Sequence, residues 1–162
     1  MINIKGNYQF NIIIPTMFKT YNLNIENHNL ITNKGFEWFI NRWLKNDFRS
    51  IGQIGFGYSE DEYASENTLN LTDEELVPYN NTKIKINDNS ISLSATINGE
   101  LIDGTTEIGI YTYNEKGLDN ILLSQDIHDT YSVPTTATVT ITYTFTVTNY
   151  ETEKMGEEEL DD

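Results

Sequence analysis

From Ala137 to Thr148, apolar side chains alternate with threonines without a break. Successive side chains of a β-strand point to opposite faces, so this period of two predicts one strand with an apolar face and a threonine face. The apolar face has to pack on a core. The threonine face is expected to be solvated or to line a subunit interface, and its candidate interface residues are Thr138, Thr140, Thr142 and Thr144.

Shorter segments with strand signals precede this one, and turn-forming residues separate them. Their spacing of roughly 10 to 15 residues is typical of antiparallel strands and not of strand–helix–strand units. The sequence therefore predicts a mainly β fold, an antiparallel β-sandwich of about seven to nine strands. The predicted segments are 8–14, 18–25, 51–58, 83–87, 90–97, 107–113 and 121–127.

One segment has a helical period. Thr32 or Asn33 can cap a helix that we expect over residues 32–46. The predicted buried stripe lies at helical spacing and excludes Trp38, and its members are Phe36, Phe39, Ile40, Trp43 and Leu44. A second, much shorter helical turn is predicted at Thr72–Glu75, where a capping-box pattern precedes Pro78.

Charge divides the chain into regions. The 162 residues include 25 acidic and 10 basic side chains, which give a net charge of -15. Residues 59–76 carry seven acids and no base, and residues 150–162 are also strongly acidic. We therefore predict a single domain over residues 1–149, with N-terminal strands in 1–26 and a core in 28–148, followed by a mobile acidic tail at 150–162.

Composition also excludes several classes of function. The acidity argues against nucleic acid, whose phosphates bind lysine and arginine, and against anionic membrane surfaces. The chain has no cysteine, which excludes disulfides, thiolate metal sites and a cysteine nucleophile. No apolar run is long enough for a signal peptide or a membrane span, so we expect the mature protein to begin at Met1 and to be made in a reducing cytosol.

Candidate chemistry is sparse. The two histidines, His28 and His128, lie in loop-like segments, and the nearby Ser124 and Asp126 are too unspecific a grouping to indicate a catalytic triad. Glu60, Asp61 and Glu62 offer carboxylates but lack the spacing of a calcium loop, so we interpret them as a solvated acidic surface for a basic partner. We assign no catalytic, cofactor-binding or metal-binding residue and expect no cofactor.

The order of the motifs resembles the attachment domain of bacteriophage tail-collar, tail-fibre and baseplate-associated proteins. That domain typically opens a helix with an N-x-hydrophobic-T-x-x-G motif and continues with a glycine-rich strand, an acidic loop, a hairpin, an E-I-G strand and a final alternating strand. The corresponding residues here are Asn29-Leu30-Ile31-Thr32-Asn33-Lys34-Gly35, Ile54-Gly55-Phe56-Gly57, Thr68-Leu69, Ser90 to Ile97, Glu107-Ile108-Gly109-Ile110-Tyr111 and Ala137 to Val147.

This resemblance implies a non-enzymatic virion protein of the tail, collar or fibre attachment region. Its partners would be other virion proteins and copies of itself, and it would be assembled in the cytoplasm of the bacterial host and reside in the virion. The absence of a long shaft favours an adaptor, collar or decoration subunit. The alternatives left open are a capsid decoration or head-fibre protein, and a carbohydrate- or receptor-binding module, for which tyrosines and acids in loops are suited.

Glu107 stands at the start of an otherwise apolar strand. If it is buried, it needs a cation such as Arg42, Arg49 or Lys34, or several N–H donors. If it is exposed at an edge, it is a candidate interface residue. Gly109, in the middle of the same strand, is suited to the close approach of another backbone or of the helix.

Overall fold

Ten strands form two antiparallel sheets in the part of the chain that the structure, a computed structural model, describes. The described residues are 2–14, 19–25, 30–44, 49–114 and 119–149. The first sheet has the order β2 (Lys19–Ile25), β1 (Ile2–Ile14), β10 (Thr138–Asn149), β7 (Ser90–Asn98) and β6 (Thr82–Ile86). The second has the order β3 (Leu30–Ile31), β9 (Leu122–Ile127), β8 (Glu107–Tyr113), β4 (Ser50–Gly57) and β5 (Glu75–Leu76).

The predicted β-sandwich is confirmed. The strand number exceeds the prediction because β3 and β5 have two residues each, which is too short for a period of two to reveal. Helix α1 (Asn33–Leu44) follows β3, and two single 3₁₀ turns lie at Tyr79–Asn81 and Gly99–Leu101. The predicted acidic tail and His28 lie outside the described residues.

Strand β10 is the central strand of the first sheet, between β1 and β7. The predicted alternation is confirmed, because the apolar side chains of its described part are buried as far as Phe145, while its threonines are half-buried on the outer side. The buried set packs against the inner face of the second sheet, whose members are Ile54, Phe56, Ile108, Ile110 and Leu123. β1 pairs with β10 from Ile2↔Asn149 to Ile13↔Thr138, so the N-terminal strands belong to the same sheet as the C-terminal one.

Thr32 caps α1 as predicted. Its hydroxyl accepts a hydrogen bond from the Gly35 N–H at 2.9 Å and donates one to the carbonyl oxygen of Leu122. The predicted continuation of the helix to residue 46 falls on residues 45–48, which lie outside the described residues.

The predicted buried stripe of α1 is wrong at Phe36, which is 54% exposed, whereas Trp38 is 4% exposed. The cause is a close approach at Gly35, where a Cβ would overlap the carbonyl oxygen of Leu123 in β9. The face that meets the sandwich therefore begins at Gly35 and continues through Trp38 and the half-buried Phe39, which are three and four residues further along. The side chains of Ile40, Trp43 and Leu44 lie outside the described part.

The helical turn predicted at Thr72–Glu75 is also wrong. Asp73 has a left-handed backbone (φ 46°), and Glu75 pairs with Phe56 as part of β5. The carbonyl oxygen of Thr72 accepts a hydrogen bond from the Tyr58 N–H at 2.9 Å. Sheet contacts therefore use the backbone groups that a helix would need.

We expect Ile141→Ala to lower the free energy of unfolding by about 2–5 kcal/mol, because Ile141 is fully buried between the sheets and its truncation leaves a cavity. The matched control is Ile86→Ala, since Ile86 is 74% exposed, and we expect a change within about 0.5 kcal/mol. Urea unfolding followed by circular dichroism measures both. Equal effects of the two substitutions would contradict the assignment of the core.

Candidate functional site

Residues 59–76, which we call the acidic strap, cross the outer face of the second sheet and add β5 at its edge. The strap covers a small apolar cluster that is separate from the main core. Its members are Leu71, Leu76, Tyr111 and Leu122. The strap is therefore a folded part of the sandwich and not a free loop.

The side chain of Glu107, on β8, anchors the strap to the second sheet. Its side chain is 1% exposed, its Oε1 accepts the Thr72 N–H at 2.6 Å, and its Oε2 accepts the Gln125 Nε2–H at 2.7 Å. A buried carboxylate is costly unless charge-assisted hydrogen bonds satisfy it, and here N–H donors do so. Of the two alternatives drawn from the sequence, burial is the one that the structure shows, so the listing of Glu107 as a candidate interface residue is corrected.

Each oxygen of the buried Glu107 carboxylate accepts a hydrogen bond from an N–H donor. None of the three cations named from the sequence is therefore needed to satisfy it. Arg42 Nη1 donates to the carbonyl oxygen of Arg49, Arg49 Nη1 donates to that of Asp119, and Lys34 pairs with Glu37 at 3.3 Å. The alternative of N–H donors is therefore the one that the structure shows.

Three further side chains hold the strap along its length. Thr106 Oγ1 donates to the carbonyl oxygen of Ser59 at 2.7 Å, and Gln125 Oε1 accepts the Ser65 N–H at 3.3 Å. Tyr111 Oη accepts the Leu71 N–H at 2.9 Å and donates to a carboxylate oxygen of Glu74. Burial, reinforced by the hydrogen bond to Glu74, raises the pKa of the Tyr111 hydroxyl, so this anchor stays protonated near neutral pH.

Glycines on β4 and β8 make room for the strap. A Cβ at Gly109 would lie 2.7 Å from Leu122 Cδ1, 2.9 Å from the carbonyl oxygen of Ser124 and 3.1 Å from Leu71 Cδ2. A Cβ at Gly57 would overlap Glu107 Oε1 and lie 2.8 Å from the carbonyl oxygen of Thr72. The predicted close approach at Gly109 is confirmed, and its partners are β9 and the strap.

The outer side of the strap carries exposed charge and exposed apolar groups. Glu60, Asp61 and Glu62 are all exposed, as the sequence predicts for a solvated acidic surface. Tyr63 is 76% exposed and Leu69 is 60% exposed. The strap thus presents carboxylates and large apolar side chains on an anchored backbone.

The outer side of the first sheet forms a second surface, which we call the polar face. Hydroxyl groups of β10 and β7 meet across the strands, with distances of 2.9 Å for Ser92–Thr144, 3.4 Å for Ser94–Thr142 and 3.1 Å for Thr96–Thr140. Thr138 lies at the end of this row, opposite Asn98. The described outward positions are Lys5, Asn7, Gln9, Asn11, Ile13, Lys83, Lys85, Ser90, Ser92, Ser94, Thr96, Asn98, Thr138, Thr140, Thr142, Thr144 and Thr146.

Charge on the polar face is entirely basic among its described positions. Lys83 and Lys85 lie on the edge strand β6, and Lys5 lies on β1 beyond the hydroxyl row. All three lysines are exposed, and none forms an ion pair within the residues that the structure describes. In a chain with a net charge of -15, this face is therefore locally positive.

A cleft of about 570 Å³ separates the strap from the segment after β9. The His128 ring stacks on Tyr131 with 3.6 Å between the ring centroids, and His128 Nδ1 lies 2.8 Å from the carbonyl oxygen of Asp129. The lining residues are Asp61, Glu62, Ile127, His128, Asp129, Thr130 and Tyr131.

The grouping of Ser124, Asp126 and His128 is not arranged as a triad. Ser124 Oγ and Tyr143 Oη are hydrogen-bonded at 2.8 Å, and Tyr8 Oη donates to a carboxylate oxygen of Asp126. Both polar groups therefore contact tyrosines of the first sheet between the layers.

Within the described ranges, no three acidic or histidine side chains converge in a way that could hold a metal ion. The same residues include no helix that is both long and apolar enough to cross a membrane. No protein-family model matches the chain, and no curated protein or solved structure matches it. The strap and the polar face are thus the features on which we base a functional proposal.

We expect Glu107→Ala to loosen the strap, because it removes both acceptors and leaves the Thr72 N–H without its partner. Loss of a buried hydrogen-bonded group costs about 1–3 kcal/mol. Hydrogen exchange should become at least tenfold faster at Leu71 and Thr72 and stay unchanged in β10. Cleavage by a glutamyl endopeptidase within 59–76 should also accelerate.

The matched control for this experiment is Glu60→Ala, which removes an exposed carboxylate of the same strap. Glu107→Gln retains one carbonyl acceptor and should fall between the two. If strap protection in Glu107→Ala equals that in Glu60→Ala, Glu107 is not the anchor.

Burial lowers the pKa of His128 below its ordinary value of 6.5, and this effect outweighs those of the Asp129 carbonyl and of the charges of Asp126 and Asp129. The unfolded chain therefore takes up a proton at His128 more readily than the folded chain. We expect the free energy of unfolding to fall as the pH drops below 6.5, and His128→Gln to reduce that slope. Urea unfolding between neutral and mildly acidic pH measures the slope. An NMR pKa of His128 at or above 6.5 would contradict the assignment.

Proposed function

We propose that the chain is a non-enzymatic structural subunit of a bacteriophage virion, in the tail, collar or fibre attachment region. In this role it binds other virion proteins and copies of itself. The observation that carries the proposal is the polar face, whose described positions hold no acidic side chain although the chain is strongly acidic. The resemblance of the ordered motifs to phage attachment domains supports the virion location.

The polar face is suited to protein binding because its side chains are short and partly fixed. Serine and threonine lose little rotamer freedom on burial, and three cross-strand hydroxyl contacts already restrict them. The five strands lie about 4.8 Å apart and average about 30 Å in length, so together they cover about 700 Å². A standard protein interface takes about 600–1,000 Å² from each partner, so the area of the face is within that range.

Two alternative functions that were inferred from the sequence stay predictions. A capsid decoration or head-fibre protein would use the same face against a different virion partner. A carbohydrate- or receptor-binding module would use the cleft beside the strap, where Asp61, Glu62 and Asp129 place carboxylates that can accept hydrogen bonds from sugar hydroxyls.

We expect Thr142→Arg to weaken assembly at least tenfold, because it inserts a long charged side chain into the middle of the polar face. Sedimentation velocity on the full chain measures self-association, and cross-linking within the native particle identifies its neighbours there. The matched control is Thr136→Arg, at an exposed position in the turn before β10. A strict monomer at high concentration that binds no tail or capsid protein would refute the proposal.

A further inference from the structure

The acidic strap and the polar face carry opposite charge on opposite sides of the sandwich. The strap has seven acids and no base and covers the outer side of the second sheet. The described polar face has Lys5, Lys83 and Lys85 and no acid, on the outer side of the first sheet. The core lies between the three lysines and most of the strap, although at one margin Glu75 of the strap shares a cleft with Thr96, Asn98 and Thr138 of the polar face.

Neither surface is neutralised by ion pairs among the residues that the structure describes. Glu60, Asp61 and Glu62 form no ion pair among the described residues, and the same holds for the three lysines. Charges left without a partner at fixed positions steer association toward a surface of opposite sign. Among the described residues, most of the strap lies on the far side of the sandwich from the lysines, so a second copy can offer each surface one of opposite sign.

We infer that the polar face of one copy binds the acidic strap of a second copy, head to tail. This inference rests on the proposed function. The lysines lie on both sides of the hydroxyl row. Lys85 on β6 and Lys5 on β1 are three strand spacings apart across the sheet and two residues apart along it, which gives a separation of about 16 Å. A strap seated across the hydroxyl row would therefore have a cation on each side.

Two-fold pairing is disfavoured by the same charges. A symmetric dimer through the strap would place carboxylates against carboxylates, and one through the polar face would place lysines against lysines. Head-to-tail contact pairs unlike charges in every copy. It also leaves one strap and one face free at the ends, so further copies can add.

A charge exchange tests the inference. One variant, Lys5→Glu with Lys83→Glu and Lys85→Glu, gives the polar face the sign of the strap. The other, Glu60→Lys with Asp61→Lys, Glu62→Lys and Glu66→Lys, leaves the strap with three acids and four lysines, so that it takes the sign of the face. We expect each variant alone to associate at least tenfold more weakly than the wild type in sedimentation velocity. An equimolar mixture should associate again, because each strap then meets a face of opposite charge.

Matched controls change charge elsewhere on exposed positions. Arg42→Glu and Glu37→Lys both lie at exposed positions of α1. Both should associate like the wild type, and circular dichroism should show that all variants are folded. Wild-type association should weaken as sodium chloride is raised, because surface ion pairs are screened.

Two outcomes would overturn the inference while the proposed function stands. In the first, the wild type self-associates and both charge variants do so equally well, in which case Lys83 and Lys85 only protect the edge strand from strand addition. In the second, the wild type is monomeric but binds another virion protein through the polar face. A wild type that binds neither itself nor any virion protein would overturn the proposed function as well.

Discussion

The hydrogen bonds of the buried Glu107 carboxylate connect the acidic strap to the second sheet. One oxygen takes the Thr72 N–H of the strap and the other takes the Gln125 amide of β9, which itself accepts from Ser65. A buried carboxylate without these donors would be strongly unfavourable, so strap and sheet have to fold together. Because the anchor is a carboxylate held by N–H groups, no cation is needed under the strap, and the acids above it remain unneutralised.

The consequence is a molecule whose two outer surfaces differ in kind. The second sheet is covered by its own strap and therefore presents carboxylates, Tyr63 and Leu69 in place of sheet residues. The first sheet is left uncovered at its described outward positions and presents short hydroxyl and amide side chains with lysines at the margins. A sandwich that buries its apolar residues between the layers holds these two surfaces at a fixed separation.

The sequence was a good guide to the features that depend on local periodicity and a poor guide to those that depend on distant contacts. The alternation from Ala137 onward predicts β10 and its buried face correctly, because a period of two leaves no other arrangement. The face of α1 was mispredicted because Gly35 approaches Leu123, a contact that the helical period does not contain. The anchoring of the strap could not be foreseen from the sequence, because its anchors lie 35 residues away from Thr72 and 60 residues away from Ser65. The sequence did contain one indication of the anchored strap. Glu107 begins an otherwise apolar strand, and glycines stand at 55, 57 and 109, where the strap approaches the sheet.

The geometry of the sandwich also bears on what kind of assembly head-to-tail contacts would give. Strands twist by roughly 20–25° from one to the next, and two packed sheets cross at about 30°. The strap follows the second sheet, and the polar face follows the first, so a copy docked strap to face is rotated by a fixed angle relative to its neighbour. Repetition of one rotation either closes into a ring or continues as a helical filament. The rotation depends both on the crossing of the two sheets inside each copy and on the angle at which strap and face meet, so a substitution on the polar face that alters this angle would change the symmetry of the assembly as well as its affinity.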